Sequence, residues 1–312
     1  MTIVSNLNPT ITYPINVAAV IVFYEPDLDA FNNAIELTQS LPIVVVDNSE
    51  SSVLSKQLPR SESLSVITNN KNLGVSTAFN QGVRYWQEKG FQWCFLFDQD
   101  SKLESDFIHN MLSPITQGEQ ESHIAAYVPH YYAVNLASYG KIIQVNKFRI
   151  KRLEPKERED FVWASYAINS GSLINLLNFE RIGPFHEGLF IDFSDIEWGL
   201  RANYSGFNIL TNPQATLFQQ LGEIPISIFG KKIVNHSPIR HYYYIRNVIH
   251  MLRFNHVPIV WKLLEVAKLP VRLIIYSTLT ANKTAHIKAM ATGLIDGLKN
   301  RQGKHGESTR NR

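Results

Sequence analysis

Cys94-Phe95-Leu96-Phe97-Asp98-Gln99-Asp100-Ser101 is an apolar run of strand length that stops abruptly in two carboxylates one residue apart, followed by a hydroxyl. A continuous apolar run of this kind suits a strand covered on both faces, as in a parallel sheet. The carboxyl ends of such strands open onto the ligand crevice. Acids at that place can face a bound cation, and hard divalent ions take carboxylate oxygens while bridging to substrate phosphates. Alone, an Asp-x-Asp tripeptide serves equally as a solvated turn or helix cap, so its neighbours must decide.

Upstream, the same pattern recurs. Val17 to Phe23 is continuously apolar, and Asp27 caps a helical pattern over Leu28 to Ser40. Ile43 to Val46 ends in Asp47-Asn48-Ser49, and Leu64 to Thr68 ends in Asn69-Asn70-Lys71-Asn72-Leu73-Gly74 before a helix over Val75 to Glu88. A helix over Ser105 to Ile115 follows the two acids. Strand and helix alternating over short connections predict right-handed β-α-β units and a mostly parallel sheet. The first hundred residues therefore read as a nucleotide-binding half.

Downstream of Ile124 to Val128 the alternation dissolves. Residues 129 to 160 carry tyrosines, a basic patch (Lys147, Arg149, Lys151, Arg152) and a charged run, the marks of a long surface excursion. A strand pattern returns over Phe161 to Ile168, and Asn169-Ser170-Gly171-Ser172 reads as a turn. Ser194 to Tyr204 and Arg240 to Phe254 read as helices. In Ile259 to Ile275 the charges Lys262, Glu265, Lys268 and Arg272 recur at helical spacing on an otherwise apolar segment. Two placements satisfy that pattern: a helix lying in a membrane interface, bent at Pro270, or one packed on the main domain.

Composition bounds the rest. The 312 residues are 45% hydrophobic and 18% charged, enough to bury a substantial core. A net charge of +3 argues against a dedicated nucleic-acid binder. The last fourteen residues, Lys299 to Arg312, hold five Lys/Arg against one Glu and read as a mobile basic tail suited to an anionic membrane surface. The single cysteine, Cys94, is a packing residue inside the strand. The opening Met1 to Pro9 lacks a basic start and a long apolar core, so the expectation is a cytoplasmic protein.

Six blocks, in order, resemble the inverting family-2 glycosyltransferases of the GT-A fold, most closely their bacterial rhamnosyltransferase branch, over residues 16 to 255. They are Val20 to Pro26, Val45 to Ser49, Asn72 to Gly82, Phe97 to Ser101, Phe190 to Trp198 and His236 to Asn247. The resemblance implies an α/β GT-A domain over 1–255, a helical segment over 256–298 that can associate with a membrane, and the basic tail over 299–312. It also implies a nucleotide-diphosphate sugar donor, with dTDP-L-rhamnose favoured, and Mg²⁺ or Mn²⁺ as cofactor. The acceptor is expected to be a lipid-linked saccharide met peripherally at the inner face of the plasma membrane. Galactofuranosyl or other hexosyl transfer, or a non-catalytic nucleotide-sugar-binding role, are the alternatives.

Residue by residue, the resemblance assigns Asp100 as the more direct metal ligand, Asp98 to the ribose and metal-bound water, and His236 as a third ligand. Tyr24, Asp47, Asn72, Gly74, Asn80, Asp98, Arg240 and Arg246 are assigned to the donor. Ser170, Gly171, Glu197 and Trp198 are assigned to the acceptor. Asp195 is the expected general base, with Asp192 as the alternative because Ser194 stands where the family has Glu. For any of this to hold, the acids near position 100 and those near position 195 must converge on one cleft.

Overall fold

The structure is a computed structural model that describes residues 16–116, 122–155, 160–220, 222–228, 231–280, 282–307 and 309–310; the opening residues read for a leader lie outside them. Its first half follows the hydrophobic runs: β1 (Val17–Phe23), α1 (Leu28–Leu37), β2 (Ile43–Asp47), β3 (Leu64–Thr68), α2 (Val75–Glu88), β4 (Trp93–Asp98) and α3 (Phe107–Thr116). Every residue of β1 and β2 is buried, as strands sandwiched between helices require. Asp27 caps α1 by accepting from the Ala30 N–H at 2.8 Å.

After β5 (Ile124–Ala133) the excursion folds into short strands: β6 (Ser138–Tyr139), the hairpin β7 (Ile142–Val145) with β8 (Ile150–Leu153), and β9 (Val162–Ala164). Next come β10 (Leu173–Asn175), α4 (Leu176–Ile182), α5 (Ser194–Tyr204) and the long β11 (Asn208–Gln219). Strands β12 (Glu223–Ile228) and β13 (Lys231–Asn235) form a separate hairpin. The chain closes with α6 (Pro238–Arg253), α7 (Ile259–Thr278), α8 (Lys283–Leu298) and the small pair β14 (Arg301–Gln302) and β15 (Thr309–Arg310).

The main sheet runs β3-β2-β1-β4-β10-β5-β11-β9, with β6 attached to β5. Pairs among β1 to β4 are parallel, as is β5 with β11, whereas β10 is antiparallel to both β4 and β5. Insertion of β10 beside β4 brings the turn at residues 169–172 against the acidic strand end. One apolar layer lies under α1 and α3, and another under α2, α4 and α5.

The C-terminal helices close over the carboxyl ends of the strands. Helix α8 lies on α6 at backbone distance: a Cβ on Gly293 would stand 2.4 Å from the Tyr242 carbonyl oxygen. Residues 299–307, read from sequence as a mobile tail, are packed instead. Arg301 pairs with Asp296 at 3.0 Å, and the Gly303 N–H donates to the Gly188 carbonyl at 2.9 Å.

Candidate active site

Strand β4 delivers Asp98 to the rim beside Val22 of β1. The loop that follows is held from β10's side: the Asp98 N–H donates to Ser170 Oγ at 3.3 Å, and Ser101 and Ser170 share a 2.5 Å hydroxyl contact. Gln219, at the end of β11, donates from Nε2 to Asp98 Oδ2 at 3.2 Å. Burial, reinforced by the nearby Asp100 charge, pushes Asp98 up to about 6. The partly buried Asp98 and the exposed Asp100 repel one another, and such a pair suits a shared divalent cation.

The second acidic group sits on a strained loop. Phe190, Asp192 and Phe193 have φ of +66°, +63° and +67°, a left-handed conformation that costs non-glycine residues about 1–3 kcal/mol each. Side chains of α6 hold the loop there. Asn247 Nδ2 donates to the carbonyls of Leu189, Ile191 and Asp192 at 3.0, 2.8 and 3.1 Å. The Arg240 guanidinium grips both oxygens of Asp192. Asp195 opens α5 with Oδ1 accepting from the Ile196 N–H at 2.8 Å. Burial pushes Asp195 up to about 6, the Ile196 N–H partly offsets this, and the Asp192 charge adds to it.

Both groups line one cavity of about 750 Å³, together with His236 and Arg240. They also share an electrostatic field, since Asp195 is among the charges that raise Asp98. Burial, with Arg240 nearby, lowers His236 to about 4, which leaves its imidazole neutral and able to ligate. No three His, Cys, Asp or Glu side chains among the described residues gather closely enough to hold a metal by themselves. The residues fit a divalent ion that takes two carboxylates from the protein and fills its other positions from a diphosphate and water.

A second cavity of about 460 Å³ shares Asp98 and Arg240 with the first and is walled by Tyr24, Asn72, Gly74 and Gln99. Gly74 is required at this wall. Its φ is +88°, and a Cβ there would stand 2.6 Å from the Phe190 carbonyl oxygen. That carbonyl accepts the Val75 N–H at 2.9 Å, so the start of α2 is tied to the strained loop.

The sequence profile of Glycosyl transferase family 2 matches residues 28–177. A curated relative, the dTDP-rhamnosyl transferase RfbF of Shigella flexneri, is 31% identical over 287 residues, covering 91% of this chain and 96% of the relative. The chain belongs to glycosyltransferase family 2. Two crystal structures show the same fold. GalNAc-T7 with UDP, GalNAc and Mn²⁺ superposes with a TM-score of 0.54 at 13% identity over 85% of this chain, which spans 58% of that protein. S. aureus TarS 1-349 superposes at 0.53 and 13% identity over 91% of this chain and 81% of its own. The architecture is thus GT-A, a mostly parallel α/β sheet with C-terminal helices.

Of the residues expected to serve this glycosyltransferase, Tyr24, Asn72, Gly74, Asp98, Asp100, Asp192, Asp195, His236 and Arg240 line the two joined cavities. Six others do not. Asp47 is fully buried, its carboxylate taken by the Ser49 N–H at 2.7 Å and the Ser55 hydroxyl, so it shapes a turn. Asn80 braces Phe185 and Glu187. Arg246 is fully buried and donates to the carbonyls of Leu189 and Gly303, a support for the loop in place of a donor contact. Gly171 lies under β4, its N–H on the Leu96 carbonyl at 2.7 Å. Glu197 is buried in ion pairs with Arg201 and His256, and Trp198 stacks on Phe179 in the core. Ser170 bonds to the acidic loop through the Asp98 N–H and the Ser101 hydroxyl.

Some lining residues escaped the sequence reading. Gln219 carried no signal beyond the end of a strand. The α7 charges Glu265, Lys268 and Arg272 face the cavity, not solvent, and Tyr244 joins them by donating to Glu265 at 2.6 Å. Helical spacing revealed that stripe without revealing which way it points.

Proposed function

We propose that this glycosyltransferase moves L-rhamnose from dTDP-L-rhamnose to a hydroxyl of a lipid-linked saccharide, with inversion at the anomeric carbon. The observation that carries the reading is the convergence of Asp98 and Asp100 with Asp192 and Asp195 on one cleft. The donor's identity draws on the Shigella relative named for it.

Asp195 is the base best suited to the acceptor. Among the described residues no cation side chain pairs with its carboxylate, which is raised to about 6, close to where a general base works well at neutral pH. Asp192 is committed to Arg240 and positions that guanidinium near the diphosphate. As the acceptor oxygen bonds to the anomeric carbon, its proton passes to Asp195. The bond from that carbon to the diphosphate oxygen breaks on the opposite face, and the leaving group keeps the electron pair. Asp98 and Asp100 would hold Mg²⁺ or Mn²⁺, which supplies Lewis-acid neutralisation of the departing diphosphate when bound, and His236 lines the same cavity.

The lipid-linked acceptor and a peripheral seat at the cytoplasmic membrane face are supported by α7. No helix among the described residues is long and apolar enough to cross a membrane. With its charged stripe turned inward, α7 leaves Leu263 and Ile274 each 64% exposed. Phe148, between Lys147 and Arg149 at the tip of the β7-β8 hairpin, is 84% exposed. Apolar side chains beside cations suit an anionic bilayer.

The test is a panel of nucleotide sugars with Mn²⁺, followed by hydrolysis and transfer. Release of rhamnose from dTDP-L-rhamnose in preference to hexoses from UDP donors supports the reading. Preferential turnover of another donor replaces the sugar, and no turnover of any donor overturns the reading.

A further inference from the structure

Residues 301–307 reach the donor end of the cleft. The Arg246 guanidinium binds the Gly303 carbonyl at 2.5 Å, the His305 N–H donates to the Tyr243 hydroxyl at 2.8 Å, and the His305 ring packs 4.2 Å from the Tyr242 ring. Tyr243 in turn stacks on Phe190 of the strained loop at 5.0 Å. So fixed, Lys304 and His305 line the same cavity as Tyr24, Asn72, Gly74 and Asp98.

From this juxtaposition we infer that the C-terminal segment is a wall of the donor pocket and that Lys304 supplies a cation to the donor's diphosphate. This rests on the transferase reading and extends it to a residue outside the family blocks. The other fixed cation on that cavity, Arg240, is already bound to Asp192. Among the described residues the ion-pair partners of Lys304 are weak ones, Glu50 at 3.7 Å and Glu307 at 3.5 Å, both with well-exposed side chains. Such surface pairs contribute little, so the ammonium can turn to a diphosphate without a large loss. A flexible point charge also suits a ligand that arrives and leaves.

Calorimetric titration of thymidine diphosphate and uridine diphosphate, each against its own nucleoside in one Mg²⁺ buffer, tests the assignment on full-length wild type, Lys304→Gln and Glu50→Gln. Lys304→Gln should weaken diphosphate binding about tenfold, the scale of one charge-assisted hydrogen bond, and leave nucleoside binding within about twofold. Glu50→Gln, which frees the ammonium, should bind the diphosphate as tightly as wild type or more so. Equal diphosphate affinity in Lys304→Gln and wild type overturns the assignment while leaving the transferase reading intact. So does an equal loss for nucleoside and diphosphate, or a Glu50→Gln variant as weak as Lys304→Gln, because either would make Lys304 only a staple for the chain. Wild type that binds neither diphosphate would sink the donor pocket itself.

Discussion

Asp192 and Asp195 lie three residues apart, yet their surroundings give them different chemistry. A guanidinium holds the first in place, while burial leaves the second able to exchange a proton near neutrality. Asp195→Asn is therefore expected to lower kcat about 10³-fold with donor affinity nearly unchanged, measured by parallel turnover and titration. Because the base must be deprotonated, kcat/KM in wild type should fall as pH drops through about 6, with a slope of one on a logarithmic plot. A flat profile down to pH 5 would remove Asp195 from that role. Helix geometry explains why some neighbours lie away from the cavities. Glu197 is two residues beyond Asp195 and points to the other side of α5, where it meets Arg201 and His256. Arg246 follows Arg240 by six residues, about 240° around α6, so the two cannot face one cleft. Asp47 was ambiguous in a different way, since the Ser55 hydroxyl that captures it belongs to a loop without periodic signal.

At the level of elements, α6 is the clamp for the catalytic loop. Replacing Asn247 by Ala removes a donor from three loop carbonyls, of which Leu189 keeps Arg246, and this should cost about 2–3 kcal/mol and appear as a lower Tm together with reduced turnover. Gly74→Ala combines an unfavourable φ with a clash against the Phe190 carbonyl, so it should destabilise by about 1–3 kcal/mol and weaken nucleotide binding in the same variant. A nucleotide affinity equal to wild type in Gly74→Ala would break the proposed link between α2 and the donor. Strands β1 to β4 and helix α5 were legible because continuous apolar runs and 3.6-residue spacing leave few alternatives, whereas β11 to β13 carried no such run. The excursion over 129 to 160 was not, because its hairpins are short and their tyrosines and lysines lack a clean alternation.

For the whole molecule, the sheet supplies the acids and the C-terminal helices supply the lid and the outer apolar surface. Leu263→Glu combined with Ile274→Glu should abolish sedimentation with anionic vesicles while leaving Tm and hydrolysis of a soluble donor unchanged, because both side chains are exposed. Retained sedimentation would assign those side chains to some other contact. A sequence alone shows that α7 is amphipathic. Only the closed fold shows that its polar side faces inward.

The buried guanidinium of Arg246 binds Leu189, just before the base-bearing loop, and Gly303, some sixty residues further along by number than the arginine itself. During synthesis the arginine thus lacks one of its carbonyl partners until residue 303 has cleared the ribosomal tunnel. The nascent chain can assemble its sheet and engage Asn247 early, but the Arg246 brace behind the loop that presents Asp195 is completed only when that glycine has emerged.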